Sequence, residues 1–446
     1  MTNPLLTLTD MALAWRDRPL DAAVTAAVRH ATLDWFATTI PGTARAPAIL
    51  LAGADLGTGG GRAICLTSSA RTSPRNAALV NGAASHTVEF DDIFRDGGYH
   101  PGSPTIAAAL AVAQDRGAPR DAFDRAVIAG YEAGCRLALA LQPTHYEYWH
   151  ITATVGTIGA AVAAALLLGS GREQIAHAIA IASSFAGGHQ QNLQGAGLAK
   201  ALHAGHAAEA GMLAAYAARA GATGAMDALD GPRGYAAATG AGTGNWAAAF
   251  EGADEWTPIT RMTMKLHGCC GHIFPALDGI EALRQQQGFG AADIEALHVE
   301  GYGATKSMCD RPDPQGAHEA RFSLQYCLAA QLVLGSVRLT AFDAAALADP
   351  RLRALMPRIS IERAEDLAAA YPSRRMARLA VRLRDGREFR HFQPWRRGDP
   401  DHPVSLHERI EKFDELAGSV LDSASVAALR RCILDGVHLP GGLRAA

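Results

Sequence analysis

Histidines, a lysine and carboxylates gather in a few short stretches of this chain, and each group could move a proton. Glu89-Phe90-Asp91-Asp92 runs on to Tyr99-His100-Pro101, beside Gly97-Gly98. Acids and a histidine next to paired glycines suit a loop that carries function between helices; the same acids could equally cap a helix in a solvated turn. His145-Tyr146-Glu147-Tyr148-Trp149-His150 leads into an almost wholly apolar stretch from Ile151. That places His150 at a buried helix N-terminus, whose positive end lowers an imidazole pKa and favours the neutral, basic form. The aromatic residues could instead seal the mouth of a helix bundle. Lys200-Ala201-Leu202-His203 opens an Ala-rich helix on which Lys200 and His203 share a face, continued by His206 and Glu209. Partial burial there would make the lysine a usable proton carrier near neutrality.

Two further clusters lie towards the C-terminus. Lys265 to His272 contains the vicinal pair Cys269-Cys270, which reads as small apolar packing rather than as half of a zinc site, since no second Cys pair follows at the right spacing. His318 to Tyr326 contains Arg321, whose guanidinium matches a carboxylate bidentately, with Tyr326 about one and a half turns along the same expected helix. A solvated arginine on a capped surface helix is the alternative. No His-Glu-x-x-His pattern is present, so no metal is expected. Gly57-Thr58-Gly59-Gly60-Gly61 does not connect a clear strand to a helix and is rejected as a nucleotide loop.

The elements that must position these groups are mostly helices. Ala22 to Ile40 carries apolar residues at three-and-four spacing and is expected to end at Pro41. Ala108–Gln114, Ala122–Leu141, Thr152–Gly169 and Arg172–Ala186 repeat the pattern, several of them apolar nearly all round, as helices at the centre of a bundle are. Beyond Trp256 the texture changes. Ile294–Tyr302 and Arg358–Arg363 alternate, Met376–Phe392 reads as a hairpin turning at Asp385-Gly386, and a helix is expected over Ala320–Val337. From Leu406 to Leu434 helical periodicity returns. The fold class expected is mainly α: a large all-helical domain from both chain ends plus a smaller α+β domain. Its boundaries are helical 1–265, α+β 266–400, and C-terminal helices 401–446 returning to the first domain.

Composition limits the partners. In 446 residues the net charge is -3, with no basic stripe, which argues against nucleic acid. The first ten residues do not read as a signal peptide and the apolar run at 158–168 is too short for a membrane span. Seven cysteines, an odd number scattered along the chain, fit free thiols in a reducing, cytoplasmic setting.

Singly these clusters are weak, but their order is distinctive. Asn81 to His86 running on to Phe90-Asp91-Asp92, His100-Pro101-Gly102-Ser103-Pro104, His150 with Val155-Gly156-Thr157-Ile158-Gly159, and Lys200 to Gly205 come first. Gly231-Pro232-Arg233-Gly234-Tyr235, Cys269 to His272, Phe322 to Tyr326, Asp385-Gly386 and Glu411-Lys412-Phe413 complete the series. The chain resembles the MmgE/PrpD family along nearly its whole length. The resemblance implies a cofactor-independent enzyme, a homodimer, acting on a small polycarboxylate. By motif, its catalytic residues would be Glu89, His100, His150, Lys200, His272 and Tyr326. Arg321, Tyr146, Arg95 and His203 would hold substrate. Two departures stand out: Glu89 where decarboxylase and dehydratase members usually carry Asp, and Ile93 where they carry Thr. The loop to His100 is also one residue longer. These favour epimerisation of iminodisuccinate or a similar amino-polycarboxylate, with a 2-methylcitrate dehydratase-like or cis-aconitate decarboxylase-like reaction as the alternative. A catalytically silent binder of an acidic metabolite is the rival from outside enzymes.

Overall fold

Small residues decide how closely the helices of this protein approach one another. The structure, a computed structural model, describes residues 3–54, 59–193 and 197–443; Gly57 and Thr58 of the rejected loop lie outside them. The fold is mainly α with a smaller α+β part. The described residues divide into two units, one from 3–54, 59–193, 198–263 and 405–443, the other from 264–404 with Gly197.

The first unit is built on α1 (Ala22–Thr43), α2 (Pro74–Ser85), α3 (Gly102–Arg116), α4 (Arg120–Leu141), α5 (Ile151–Leu167), α6 (Arg172–Phe185) and α7 (Ala199–Arg219). α5 is buried from Ile151 through Leu166, and α7 packs along it and crosses α2. At that crossing a Cβ on Gly82 would stand 3.0 Å from the Gly205 Cα, and one on Gly205 would collide with the Leu79 carbonyl. Glycine is therefore required by backbone contact, which cannot yield as a flexible side chain would. Gly205→Ala is expected to destabilise the protein by about 3 kcal/mol, read as a lower urea midpoint at unchanged slope. An unchanged midpoint would show that the crossing can open without cost.

Caps fix the register of these helices. Asp21 accepts the Val24 N–H at 2.8 Å and Ser73, followed by Pro74, accepts that of Asn76 at 3.3 Å. Near the C-terminus Ser405 and Glu408 form a reciprocal capping box at the start of helix Leu406–Gly418, which packs on α1. One expectation fails here. α1 does not end at Pro41 but runs through it to Thr43. Pro41 sits in the last turn, so the ladder bond it deletes is one of the final ones and the helix stops two residues later.

A two-stranded ribbon, β1 (Ala63–Cys65) with β2 (Ala70–Thr72), completes the first unit's strands among the described residues. The second unit holds a four-stranded sheet of β3 (Ile294–Gly301), β4 (Ile359–Arg363), β5 (Ala377–Leu383) and β6 (Glu388–Gln393) in the order β4-β3-β5-β6. β3 pairs parallel with β4 and antiparallel with β5, and β5 returns into β6 with Val381 opposite Phe389. Helix Phe274–Gln287 covers β5 and β6. The single helix expected over 320–337 is instead two pieces, Ala317–Ala320 and Leu324–Leu334. Ser323 breaks it: its backbone is extended and its hydroxyl accepts the Tyr326 N–H at 3.0 Å as an N-cap. Arg321 and Tyr326 consequently do not share a helix.

Candidate active site

Three turns of chain in the first unit deliver polar side chains to one buried cluster. α2 ends at His86, the C-cap residue. The chain then reverses through Glu89, whose φ of +60° lies in the left-handed region that a side chain with a Cβ rarely enters. This turn sends Glu89 inward at 3% exposure, and its carboxylate meets the Lys200 ammonium in a buried ion pair. Lys200 is the second residue of α7, and His203 follows one turn on. His150 is the N-cap residue of α5, held by its own N–H to the Gly188 carbonyl at 2.9 Å.

Past the turn, Phe90 to Asp92 are anchored on all sides. The Phe90 carbonyl and the Asp34 carboxylate accept from Lys412, at 2.7 and 2.6 Å. Asp92 accepts the Gly102 N–H at 3.1 Å and the Tyr131 hydroxyl at 2.8 Å, which puts a carboxyl group at the positive end of α3. Gly102 has to be glycine, since a Cβ there would come within 2.8 Å of that Asp92 oxygen. Burial, helped by Asp34, still pushes the Asp92 carboxyl up to about 7.

Between these anchors lie Asp91 and four imidazoles. His86 Nδ1 is 2.6 Å from Asp91 Oδ2, and His100 Nδ1 is 3.1 Å from the same oxygen. The His86 ring stacks on His150 at 5.4 Å and meets His100 edge-on at 5.0 Å. His150 and His203 face each other Nδ1 to Nδ1 at 3.1 Å. Burial, aided by the Lys200 charge, pushes His86 down to about 4, and burial holds His150 well below the usual imidazole range. His203 is likewise pushed down to about 4. Near pH 7 these three rings are neutral, so of the facing Nδ1 atoms on His150 and His203 one bears hydrogen and the other a lone pair. The two rings must be opposite tautomers.

His86, Asp91 and His100 form a group of a kind that can hold a metal ion. His86 Nδ1 stands 2.6 Å from Asp91 Oδ2, a hydrogen-bond contact. His206 and Glu209, 3.3 Å apart at the surface, are joined there by Arg75 rather than set in a ligand cage.

Of the expected residues, Glu89, His100, His150, Lys200 and His203 come together in this cluster. Arg95 lies in a short 3₁₀ turn with its side chain 3.0 Å from Asp96, and the Tyr146 ring packs beside Gly98. The remaining three belong to the second unit. There His272 bonds the Tyr302 hydroxyl at 2.8 Å, and Tyr302 stacks on Tyr371 at 4.7 Å. Arg321 donates to the Gly268 carbonyl at 2.6 Å and lies 4.1 Å over the Phe342 ring. The Tyr326 hydroxyl donates to the Ala341 carbonyl, and burial pushes its pKa upward. Cys269 and Cys270 are buried free thiols, near Cys327 and Cys309 respectively. Sequence reasoning missed His86 and Asp91 as members of the site. The signal was present, for His86 closes the Asn81–His86 stretch and Asp91 opens the next one. It took the turn at Glu89 to fold the two onto each other.

The arrangement supplies neutral imidazoles as bases and a buried ammonium–carboxylate pair as a proton carrier. The Lys200 charge can also stabilise negative charge as it develops on a substrate. The MmgE/PrpD N-terminal domain matches residues 7–245 and the MmgE/PrpD C-terminal domain matches 267–434. Human cis-aconitate decarboxylase is 26% identical over 378 residues, covering 81% of this chain and 76% of its own. The cis-aconitate decarboxylase of Aspergillus terreus is 24% identical over 384 residues, covering 81% and 78%. A cis-aconitate decarboxylase-like protein of Aspergillus oryzae, oryM, is 27% identical over 390 residues, covering 82% and 80%. No helix among the described residues is long and apolar enough to cross a membrane. The chain belongs to the MmgE/PrpD family.

Proposed function

We propose that this chain catalyses proton transfer at the carbon α to a carboxylate of a small polycarboxylate, using its own side chains as acid and base. The observation that carries the reading is the buried Lys200–Glu89 pair set among imidazoles that stay neutral at pH 7. Removing an α-proton produces an enolate-like species with two adjoining negative charges. A neutral base must take that proton and a fixed cation must face the charge, and both are supplied here without reorganisation.

Two forms of this chemistry are open to the site. The first is loss of CO₂ from a cis-aconitate-like tricarboxylate with protonation of the carbon left behind, supported by the names of the relatives. The second is epimerisation of an iminodisuccinate-like amino-dicarboxylate, in which one base removes the α-proton and another returns it to the opposite face. Glu89 and Ile93, where the decarboxylase pattern has Asp and Thr, favour this second form; Ile93 is itself buried and paired with Thr263. An apolar side chain at that position removes a hydroxyl that a leaving carboxylate could use.

The test is incubation with cis-aconitate and with iminodisuccinate in heavy water, followed by NMR. Deuterium at the α-carbon with CO₂ release identifies the lyase, and deuterium with inversion and no carbon loss identifies the epimerase. Absence of incorporation from both, and from 2-methylcitrate, overturns the reading.

A further inference from the structure

Two hydrogen-bonded imidazoles of the cluster lie at different depths. His150 is 3% exposed, whereas His203 is half-buried, and His206, one turn further along α7, is exposed. The bond between His150 and His203 joins their Nδ1 atoms at 3.1 Å and so leaves the Nε2 atom of each ring for another partner. Gly188 fixes both rings. Its carbonyl accepts the His150 N–H at 2.9 Å. A Cβ on Gly188 would stand 2.4 Å from the Ala153 Cβ and 3.3 Å from His203 Nδ1, so the chain passes between α5 and the His203 ring with no room for a side chain. The pairing is therefore set by backbone rather than by the chance meeting of two flexible side chains. A proton taken up by His150 is poorly held there. Burial opposes charge on that ring, and His86 and the Lys200 ammonium oppose it further.

We propose that His203 is the relay through which His150 exchanges protons with solvent during the proposed reaction. For proton removal the pair starts with His150 Nδ1–H donating to His203 Nδ1, and with the one hydrogen of the His203 ring at Nε2. His150 Nε2 takes the α-proton and the bonding electrons stay on the carbon. The Nδ1–H of His150 then crosses the 3.1 Å bond to His203 Nδ1, and His203 releases its Nε2–H to water. Both rings end neutral with their tautomers exchanged, and no proton is stranded on the buried ring. Delivering a proton to carbon runs the same three transfers in reverse. His203 acts through His150 and not on the substrate. The relay rests on the proposed proton transfer for its use; the hydrogen bond that carries it does not.

The experiment uses the full chain and whichever of cis-aconitate, iminodisuccinate and 2-methylcitrate it turns over. His203→Ala leaves room for a free imidazole, and His203→Gln fills the space with an amide that can bond His150 but cannot relay a proton. In both, kcat is expected to fall by about 10²-fold, the low end for a positioned proton carrier, with KM changed by less than about threefold. Added imidazole should restore kcat in His203→Ala, not in His203→Gln, and should leave the wild type unchanged. A purely structural role would give no such rescue. On the wild type labelled with ¹⁵N-histidine, a coupling between two ring nitrogens across the hydrogen bond is expected without any substrate. Its absence overturns the proposal even if neither variant folds. Undiminished kcat in both variants, or a raised KM in His203→Ala that imidazole does not correct, overturns the relay alone. A wild type that shows the coupling but turns over none of the three substrates sinks the proposed function, and the relay with it.

Discussion

Lys200→Met is expected to lower α-deuterium exchange by about 10³-fold, within the 10²- to 10⁴-fold range of a positioned acid or base, and to cost stability as well. Both losses follow from where the lysine stands. Its ammonium is in contact with Glu89 inside the protein, at 5% and 3% exposure. Methionine fills nearly the same volume but takes the cation from beside a buried carboxylate held in a left-handed turn. Breaking a buried pair from one side typically costs about 3–5 kcal/mol, whereas neutralising both partners is often close to harmless. The double variant Lys200→Met, Glu89→Gln should therefore recover most of the lost stability while recovering none of the exchange. Urea midpoints of the two single variants and the double separate the effects. Exchange that survives in Lys200→Met would remove the lysine from proton transfer, whatever the stability does.

That pair also shows where reading the sequence stops. The class of fold was legible because periodicity and caps are local: α5 announces itself by an almost wholly apolar run, and the hairpin β5–β6 by alternation around Asp385-Gly386. Ser323 and Pro41 were misjudged for a related reason. Each residue's preference is local, but whether Pro41 stands in the last turn and whether Ser323 takes the Tyr326 N–H depend on where the helices are seated. The site is less local still. Glu89 and Lys200 are 111 residues apart, and no spacing rule connects them. The turn that brings Glu89 round uses φ +60° at a glutamate rather than at a glycine or asparagine, so the usual marker of a left-handed residue is missing. His150 was expected to be neutral because of its helix end. It is neutral, but burial is the leading cause and the positive Lys200 and neighbouring rings the next. Desolvation depends on everything packed around a group, which one stretch of sequence does not contain.

The same desolvation makes the protein's stability fall with acid, and in a defined window. His86 and His145 are both pushed down to about 4 by burial, and burial holds His150 well below the usual imidazole range. For a histidine whose folded pKa lies below its unfolded value of about 6.5, the unfolded chain binds the proton first as pH drops. Stability is therefore full above about pH 6.5 and lost progressively down to the folded value. Asp92 works in the opposite direction. Its folded carboxyl, raised to about 7, holds a proton that the unfolded chain gives up at all but low pH, so it adds stability as pH falls. The buried imidazoles outnumber the raised carboxyls of Asp92 and Asp124, so unfolding takes up protons below about pH 6.5 and stability falls with acid. Half-buried His203 adds to the same side, with a smaller weight because solvent reaches it. The urea midpoint should be level from pH 8 to 7 and drop steeply from 6.5 to 4.5. Asp92→Asn keeps a neutral, hydrogen-bonding side chain but removes the opposing titration, so its midpoint should fall more steeply with acid than that of the wild type. Equal slopes in the two proteins would mean that Asp92 is already ionised in the folded state at neutral pH, and that Tyr131 and the Gly102 N–H hold its charge better than burial opposes it. A wild-type midpoint that stays level to pH 5 would mean that the histidine cluster accepts protons while folded, and that its rings are not the neutral bases the proposed reaction requires.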